Sequence, residues 1–329
     1  MPDRRTKSSP MDFLKILTTL TMVYWLPSEC STVSEASWCY VEPHCGPQSW
    51  ISLGRCNGKR QSPINIVHRA SPRNLALGAM DLVGYDNPKK LLEIQNTGKT
   101  VDVTLGDGLH LSGLGLPDVY KAKSFHFHWG DGALKKGSEH QIDGKQYSME
   151  MHIVHTRGNL SMLHAVKYAK GIAVLAFFIE ESKHTESKTE HAWGLFTDHL
   201  KKVSKKGDNE HLDVSFSLLD LMGTTNFTRY YRYPGSLTTP GCEENVIWTV
   251  FADPILLPSK LVNKFTKGLY RDFAEELRLK NNFRPIQKIG VRRVEASNAM
   301  KSAAALSVSP PTVFALFLSI ATFLPFFSM

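Results

Sequence analysis

The sequence predicts a single, mainly β domain of the α+β class with peripheral helices. Between residues 38 and 294, about 257 positions run without a repeat, a low-complexity linker or a change of composition. Short apolar or alternating segments recur there between turn residues, which is typical of strands. Hydrophobic residues make up 42% and charged residues 21% of the chain, an ordinary globular composition that excludes wholesale disorder and collagen-like repeats.

The elements follow in chain order. Strands are predicted at six segments that are apolar or alternate apolar with polar residues: 91–94, 101–105, 124–129, 149–155, 172–179 and 246–251. Glycine-containing turns separate several of them, as at 106–108, 113–115 and 130–132. Helices are fewer and are predicted at 160–167, 192–202 and 258–273.

The charge pattern excludes one class of partner. The formal net charge of +8 arises from 39 Lys and Arg against 31 Asp and Glu, spread along the chain. Only short clusters occur, such as Lys201-Lys202 and Lys205-Lys206. Nucleic-acid binding requires a concentrated basic patch, so these charges indicate solvated surface and no nucleic-acid partner.

The N-terminal residues 1–30 have the pattern of a signal peptide that is removed. Basic residues precede the apolar run 14–26, and Ser28 and Cys30 suit the −3 and −1 positions of a cleavage site. Met11 is an alternative start, because the chain from that residue onward is itself a compact signal peptide.

The C-terminal residues have the pattern of a glycosylphosphatidylinositol (GPI) anchor signal. A spanning helix needs ~20 apolar residues and a basic flank, whereas the run 313–327 is shorter and ends the chain. Ser302 and two alanines precede a spacer and this tail, so we expect attachment at Ser302 and removal of 303–329. Ser297 is the alternative attachment residue, and a plain transmembrane tail is the alternative anchor. The mature chain 31–302, a domain with a short stalk, would lie on the extracellular face of the cell membrane.

The cysteine count agrees with an oxidising compartment. Cleavage after Cys30 removes one of five cysteines and leaves Cys39, Cys45, Cys56 and Cys242. An even number suits an exported domain with disulfides, although four cysteines allow three connectivities. The sequons at Asn159 and Asn226 are predicted glycosylation sites in such a protein.

Three histidines have the spacing of a catalytic metal site. His126 and His128 lie two residues apart in a predicted strand, so both imidazoles point to the same face. His152 lies in a later strand, with Glu150 two residues before it. Three imidazoles that leave a fourth position open are typical of catalytic zinc, and a carboxylate commonly orients a ligand histidine. The alternative is a set of surface histidines, as we expect for the other exposed candidates: His44, His68, His110, His184, His191, His199 and His211.

The motifs together resemble the alpha-class carbonic anhydrases. They are QSPINI at 61–66, SFHFHWG at 124–130, GSEHQIDG at 137–144, EMHIVH at 150–155, YPGSLTTPGC at 233–242 and NFRPIQ at 282–287. The resemblance covers nearly all of 38–294, with the motifs in order. The exported, tail-processed layout is most similar to the GPI-anchored vertebrate branch, its fourth and fifteenth isozymes.

This resemblance implies a large, twisted, mostly antiparallel sheet with Zn²⁺ in a conical cleft. His126, His128 and His152 match the three histidine ligands of the zinc ion in this family. Glu150 matches the carboxylate behind the third ligand. Thr238 matches the acceptor of the hydrogen bond from zinc-bound hydroxide, and Glu139 the acceptor of that threonine's proton.

The resemblance also assigns the surroundings of the site. Thr239 lines the polar side, and an apolar wall for carbon dioxide is matched by Val154, Val174, Leu237, Val246 and Trp248. Cys56–Cys242 matches a disulfide that pins the Thr238 loop, and Cys39–Cys45 a short N-terminal bridge.

The implied function is the reversible hydration of carbon dioxide to bicarbonate and a proton. The partners are then carbon dioxide and bicarbonate, with a membrane reached through the anchor and bicarbonate or proton transporters as candidate neighbours. The alternative is a catalytically silent carbonic anhydrase-related binding domain, a subgroup that has lost ligand histidines.

Two residues depart from the family pattern. Ser124 stands where the family usually has glutamine, and Lys99 occupies the usual position of the proton-shuttling histidine. An ordinary lysine has a pKa of ~10.4 and stays protonated near pH 7, so we expect proton transfer to limit turnover. Another group, such as His110, or a chain of waters is the alternative proton carrier.

Overall fold

A computed structural model describes residues 38–113, 115–132 and 135–300. The predicted signal peptide, Cys30, the attachment residue Ser302 and the tail 303–329 lie outside the described residues. Within them, no helix combines the length and the apolar character needed to cross a bilayer.

The described residues contain fifteen strands in two sheets. In chain order they are β1 (Asn65–Ile66), β2 (Met80–Val83), β3 (Leu91–Asn96), β4 (Val101–Leu105), β5 (His110–Gly113), β6 (Tyr120–Trp129), β7 (Gln141–Ile142), β8 (Lys145–Gln146), β9 (Met149–Arg157), β10 (Ile172–Glu181), β11 (Asn209–His211), β12 (Tyr230–Gly235), β13 (Val246–Phe251), β14 (Ile255–Leu257) and β15 (Glu295–Ala296). Strands β1, β7 and β8 form a small sheet of their own, and the other twelve form the large one.

The large sheet is mostly antiparallel, as expected from the resemblance. Its main path runs β11-β3-β4-β6-β9-β10-β13-β12-β15, with β2, β5 and β14 attached off this path. Strand β10 pairs in parallel with β13 and β14, and the other pairs of this sheet are antiparallel. All six predicted strands are present and lie on the main path.

Four α-helices lie among the described residues: α1 (Met162–Ala165), α2 (Ser187–His199), α3 (Leu218–Met222) and α4 (Ser259–Gly268). The three predicted helices exist with other bounds. Helix α2 begins five residues earlier than expected because the Glu186 side chain accepts hydrogen bonds from the backbone N–H groups of Lys188 and Thr189 and caps it. Helix α3 was not predicted.

Helices α2 and α4 pack against one face of the sheet. The odd-numbered side chains of β6 lie on this face. Phe125, Phe127 and Trp129 are fully buried there. The Phe127 ring lies 5.4 Å from Phe196 of α2 and 5.1 Å from Phe265 of α4, between ring centroids. Because side chains alternate along a strand, this aromatic core directs the even-numbered residues of β6 to the opposite face.

Two disulfides are present: one closes a short N-terminal loop, and the other ties the N-terminal residues to the rest of the domain. Cys39 is bonded to Cys45, and Cys56 is bonded to Cys242, which is 186 residues distant in sequence. Both bonds match the pairing that the family resemblance implied.

Candidate active site

The structure brings His126, His128 and His152 together on the face opposite the aromatic core. His126 of β6 lies directly across from His152 of β9, and His128 follows on the same side of β6. One ring nitrogen from each residue lies within 4.8 Å of the others. We call these three residues the histidine triad.

Burial holds two members of the triad, His126 and His128, in their neutral form. Burial, followed by the neighbouring His128 and His152, keeps the pKa of His126 well below its usual range. Burial also lowers the pKa of His128 to about 3. A neutral imidazole carries a free lone pair, and a set of three imidazoles suits Zn²⁺. The donor set therefore fits the metal that the family resemblance implied.

Hydrogen bonds fix the tautomers of two triad members. The Nδ1 atom of His128 lies 2.8 Å from the carbonyl oxygen of Asn282, so Nδ1 carries the proton and donates it. The Nε2 atom of His152 lies 2.6 Å from Oε1 of Glu150 and donates likewise. These bonds leave His128 Nε2 and His152 Nδ1, which lie 3.1 Å apart, as lone-pair donors at the centre of the triad.

Glu150 also binds a second buried histidine, His140. Its two oxygens also accept from the backbone N–H of His140 at 2.7 Å and from His140 Nδ1 at 2.6 Å. Burial alone would raise the pKa of Glu150, but the neighbouring His140 and His152 and their hydrogen bonds to it lower that pKa below its usual range. The other nitrogen of the His140 ring, Nε2, is hydrogen-bonded to Tyr233 Oη at 2.6 Å. Glu150 is thus a fixed, ionised acceptor.

Glu139 is a buried carboxylate beside the triad. Its Oε1 accepts a hydrogen bond of 2.8 Å from the backbone N–H of Arg284. Its Oε2 has no hydrogen-bond partner among the described residues and lies 3.5 Å from Nε2 of His128. Burial raises the pKa of Glu139 to about 7, against the opposing effects of His152, the Arg284 N–H and the Thr238 side chain. The arrangement leaves one acceptor atom facing the triad and the Thr238 hydroxyl.

Thr238 lies on the loop between β12 and β13, which several contacts hold in place. Leu237 N–H donates to Glu243 O at 3.1 Å, and Cys242 N–H donates to Thr239 O at 2.9 Å. The disulfide from Cys242 to Cys56 fastens the end of this loop to the N-terminal residues. On this loop, Thr238 is buried and Thr239 is half-buried.

An apolar surface adjoins the triad. Val154 lies across from Val174, and Val174 lies across from Trp248, in the row of the sheet two residues from His152. The Trp248 ring lies 4.9 Å from that of His152, between centroids. These side chains are buried, and Leu237 is half-buried against the same group. We call Val154, Val174, Leu237, Val246 and Trp248 the apolar wall.

Comparison with known proteins agrees with this geometry. The model of the eukaryotic-type carbonic anhydrase family matches residues 45–298. The chain belongs to this family. The prediction of a carbonic anhydrase made from the motifs is therefore confirmed.

Three relatives match most of this carbonic anhydrase. It is 38% identical to carbonic anhydrase 4 of Rattus norvegicus over 91% of this chain and 94% of the relative. Carbonic anhydrase 4 of Oryctolagus cuniculus is 40% identical over 80% and 85% of the two chains. Carbonic anhydrase 15 of Mus musculus is 36% identical over 84% and 88%.

Lys99 of this carbonic anhydrase is tied to the N-terminal residues. Its Nζ donates a hydrogen bond of 2.6 Å to the carbonyl oxygen of Trp38 and lies 3.8 Å from the centre of the Trp38 ring. Burial and the neighbouring Lys206 lower the pKa of the Lys99 ammonium. His110, the alternative proton carrier, is half-buried on β5 opposite Lys121.

Sequence reasoning missed several residues that surround the triad. His140 was seen only as part of a motif, yet it shares Glu150 with His152. Asn282 and Arg284 lie about 150 residues from their partners His128 and Glu139, so no local pattern could connect them. Asp102, on β4, lies opposite His126 and was not singled out.

The expectation that seven other histidines are exposed was wrong for three of them. His68 is half-buried, with Nδ1 2.8 Å from Tyr231 Oη. His199 is half-buried, with Nδ1 2.8 Å from Glu210 Oε2. His110 is also half-buried, whereas the remaining four are exposed: His44, His184, His191 and His211. Aromatic and carboxylate partners from other elements explain the burial of His68 and His199.

Proposed function

We propose that this chain is a zinc-dependent enzyme that reversibly hydrates carbon dioxide to bicarbonate and a proton. The observation that carries the proposal is the convergence of three imidazoles beside a buried carboxylate and an apolar wall. A silent carbonic anhydrase-related domain, the alternative, would have no need to keep this set together.

The histidine triad would hold the zinc ion. Bound zinc supplies the Lewis acidity that makes a nucleophile from water near neutral pH, a role for which this family is the standard example. Asn282 and Glu150 keep two of the three rings in the required tautomer. Two ligand rings therefore need little reorganisation when the metal binds.

Thr238 and Glu139 would orient the nucleophile. Glu139 can only accept when ionised, and its Oε1 is already occupied by the Arg284 N–H. The free Oε2 would accept a hydrogen bond from the Thr238 hydroxyl. Oγ1 of Thr238 would then offer only lone pairs to the cleft. A nucleophile that donates its proton to that oxygen turns its own lone pair toward the substrate.

The apolar wall would bind carbon dioxide. An uncharged linear molecule loses little hydration when it contacts Val154, Val174 and Trp248, whereas bicarbonate would leave water at a large cost. The wall therefore favours the substrate and releases the charged product. Thr239 would line the polar side of the same space.

Replacing one triad residue tests the zinc site directly. His126→Ala leaves two imidazoles, so we expect most of the bound zinc and nearly all hydration activity to be lost. Metal analysis and stopped-flow hydration of carbon dioxide measure these losses, with exposed His211→Ala as the matched control. Full zinc content and activity in His126→Ala would refute the ligand assignment. A wild-type protein that binds zinc without hydration would favour the silent domain.

We further propose export and GPI anchoring through Ser302. Asn159 and Asn226 are exposed, as glycosylation requires. Ser297, the alternative attachment residue, is fully buried, and its Oγ donates a hydrogen bond of 2.6 Å to Thr228 O. Its burial favours Ser302 over Ser297. Transporters of bicarbonate or protons would then be neighbours able to use the products.

A further inference from the structure

One member of the histidine triad lacks the hydrogen-bond partner that the other two have. His128 donates to Asn282 O and His152 donates to Glu150. Among the described residues, the ring of His126 takes part in no hydrogen bond, and Ser124 replaces the glutamine usual in the family. The nearby acidic group is Asp102, whose Oδ1 lies 3.9 Å from Nδ1 of His126.

The sheet places Asp102 where it can serve His126. The two residues are directly opposite in the antiparallel pair of β4 and β6, so their side chains share a face. The neighbours of Asp102 along the strand, Val101 and Val103, are fully buried on the other face and fix its backbone. Ser124 lies two residues before His126 on β6, across from Thr104 of β4, so its side chain is on the same face of the sheet as Asp102 and His126. The Asp102 side chain is 30% exposed and so lies at the open side of the triad.

We propose that Asp102 is a positioning residue for His126. Its carboxylate accepts the Nδ1–H of His126, either after a small rotation or through one bridging water, since 3.9 Å exceeds a direct hydrogen bond. Nε2 of His126 then carries the free lone pair and can bind a metal ion at the centre of the triad. The inference rests on the proposed zinc function and adds a second carboxylate to the one that Glu150 supplies.

The expected consequence concerns how firmly zinc is held. Loss of an acceptor behind a ligand histidine typically lowers metal affinity by about 10–100-fold. Asp102→Ala removes the acceptor, whereas Asp102→Asn keeps an amide oxygen that still accepts, so its loss should be smaller. Ser124→Gln in the Asp102→Ala background restores the glutamine of the family and should recover much of the affinity.

The test measures zinc release from the folded holoenzyme to a chelator. Asp102→Ala should release zinc about 10–100-fold faster than wild type. Asp81→Asn is the matched control. Asp81 of β2 lies opposite a serine, Ser112 of the neighbouring strand β5, and this pair is away from the triad. A second readout is the ¹⁵N NMR spectrum of the metal-free protein, in which the Nδ1–H tautomer of His126 should lose population in Asp102→Ala.

The outcomes separate this inference from the proposed function. Unchanged zinc release with an unchanged His126 tautomer in Asp102→Ala would overturn the positioning role while leaving the zinc site intact. A wild-type protein that takes up no zinc would instead refute the proposed function. Faster release that Ser124→Gln reverses would support the role, and faster release in Asp81→Asn as well would indicate a general structural effect and overturn it.

Discussion

At the scale of single residues, Lys99 is the most consequential departure from the family. Regenerating the nucleophile requires that a proton leave the cleft in each turnover, a task suited to a group with a pKa near 7. The Lys99 ammonium is instead held by the carbonyl and the ring of Trp38. Cation–π contact stabilises the charged form and opposes the lowering of its pKa by burial. Lys99 is therefore better placed to fasten the N-terminal residues than to carry protons.

We expect proton transfer to limit turnover at low buffer concentration. Adding an imidazole buffer should raise kcat by about tenfold or more with little change in kcat/KM, because the buffer acts after carbon dioxide has reacted. Lys99→His should produce a similar rise without added buffer. Lys99→Met is the control, since it removes the charge without adding a proton carrier, and its kcat should still respond to imidazole. If neither imidazole nor Lys99→His alters kcat, Lys99 is not the bottleneck.

Single residues also mark the limit of what the sequence reveals about the site. Alternation along a strand was enough to align His126 with His128, and a motif was enough to add His152. The partners that orient them, Asn282 and Asp102, depend on pairing between distant segments and on register. Register follows from the packing of the whole sheet, so these contacts required the structure.

At the scale of elements, the central strands were predictable and the short peripheral ones were not. Strands β4 and β13 have the predicted bounds because β4 alternates between buried and more exposed residues, whereas every residue of β13 is buried. Strands β1, β7, β8 and β15 have only two residues each, too few for a period to be recognised. Pairing with neighbours, rather than local propensity, creates them.

Helix α3 was missed although its start carries a recognisable signal. Ser217 accepts a hydrogen bond from the Asp220 N–H, and the Asp220 side chain accepts from the Ser217 N–H, which together form a capping box. We expect Ser217→Ala to lower the free energy of unfolding by about 1 kcal/mol, measured by urea denaturation. Ser259→Ala is the control, because Ser259 is exposed in the first turn of α4. Equal losses in both variants would show that the cap of α3 contributes nothing specific.

The disulfide Cys56–Cys242, which holds the Thr238 loop, is also expected to stabilise the fold. Cys56–Cys242 closes 186 residues, whereas Cys39–Cys45 closes only six. Loop-closure entropy grows with the closed length, so replacing both Cys56 and Cys242 by Ala should cost about 2–5 kcal/mol and reduce hydration activity through the freed loop. The pair Cys39→Ala and Cys45→Ala is the control and should cost less in denaturation measurements. A larger loss in the control would contradict the loop-length argument.

At the scale of the whole molecule, one large sheet serves two purposes on its two faces. Phe125, Phe127 and Trp129 pack against α2 and α4 on one face, while the histidine triad lies on the other. The fold class was predictable because the composition and strand pattern are uniform over the domain. The path of the sheet was not, since its parallel pairing of β10 with β13 and β14 joins strands that are not consecutive in sequence.

The contacts of the last described residues also define where the chain can be cut without loss of the fold. Met300 is buried in the core cluster beside the apolar wall, and Ser297 bonds Thr228 and Tyr230, so both must be retained. Truncation after Lys301 keeps these contacts and should release an active enzyme into the culture medium. Truncation after Ala296 is the matched control, because it removes Ser297 and Met300 and should abolish secretion of active protein.

For the full-length chain, phosphatidylinositol-specific phospholipase C should release hydration activity from the cell surface, since a GPI anchor joins the protein to lipid only through its glycolipid. Activity that stays on the membrane after the phospholipase, with the truncated form secreted, would mean that the tail spans the bilayer and that the anchor proposal is wrong.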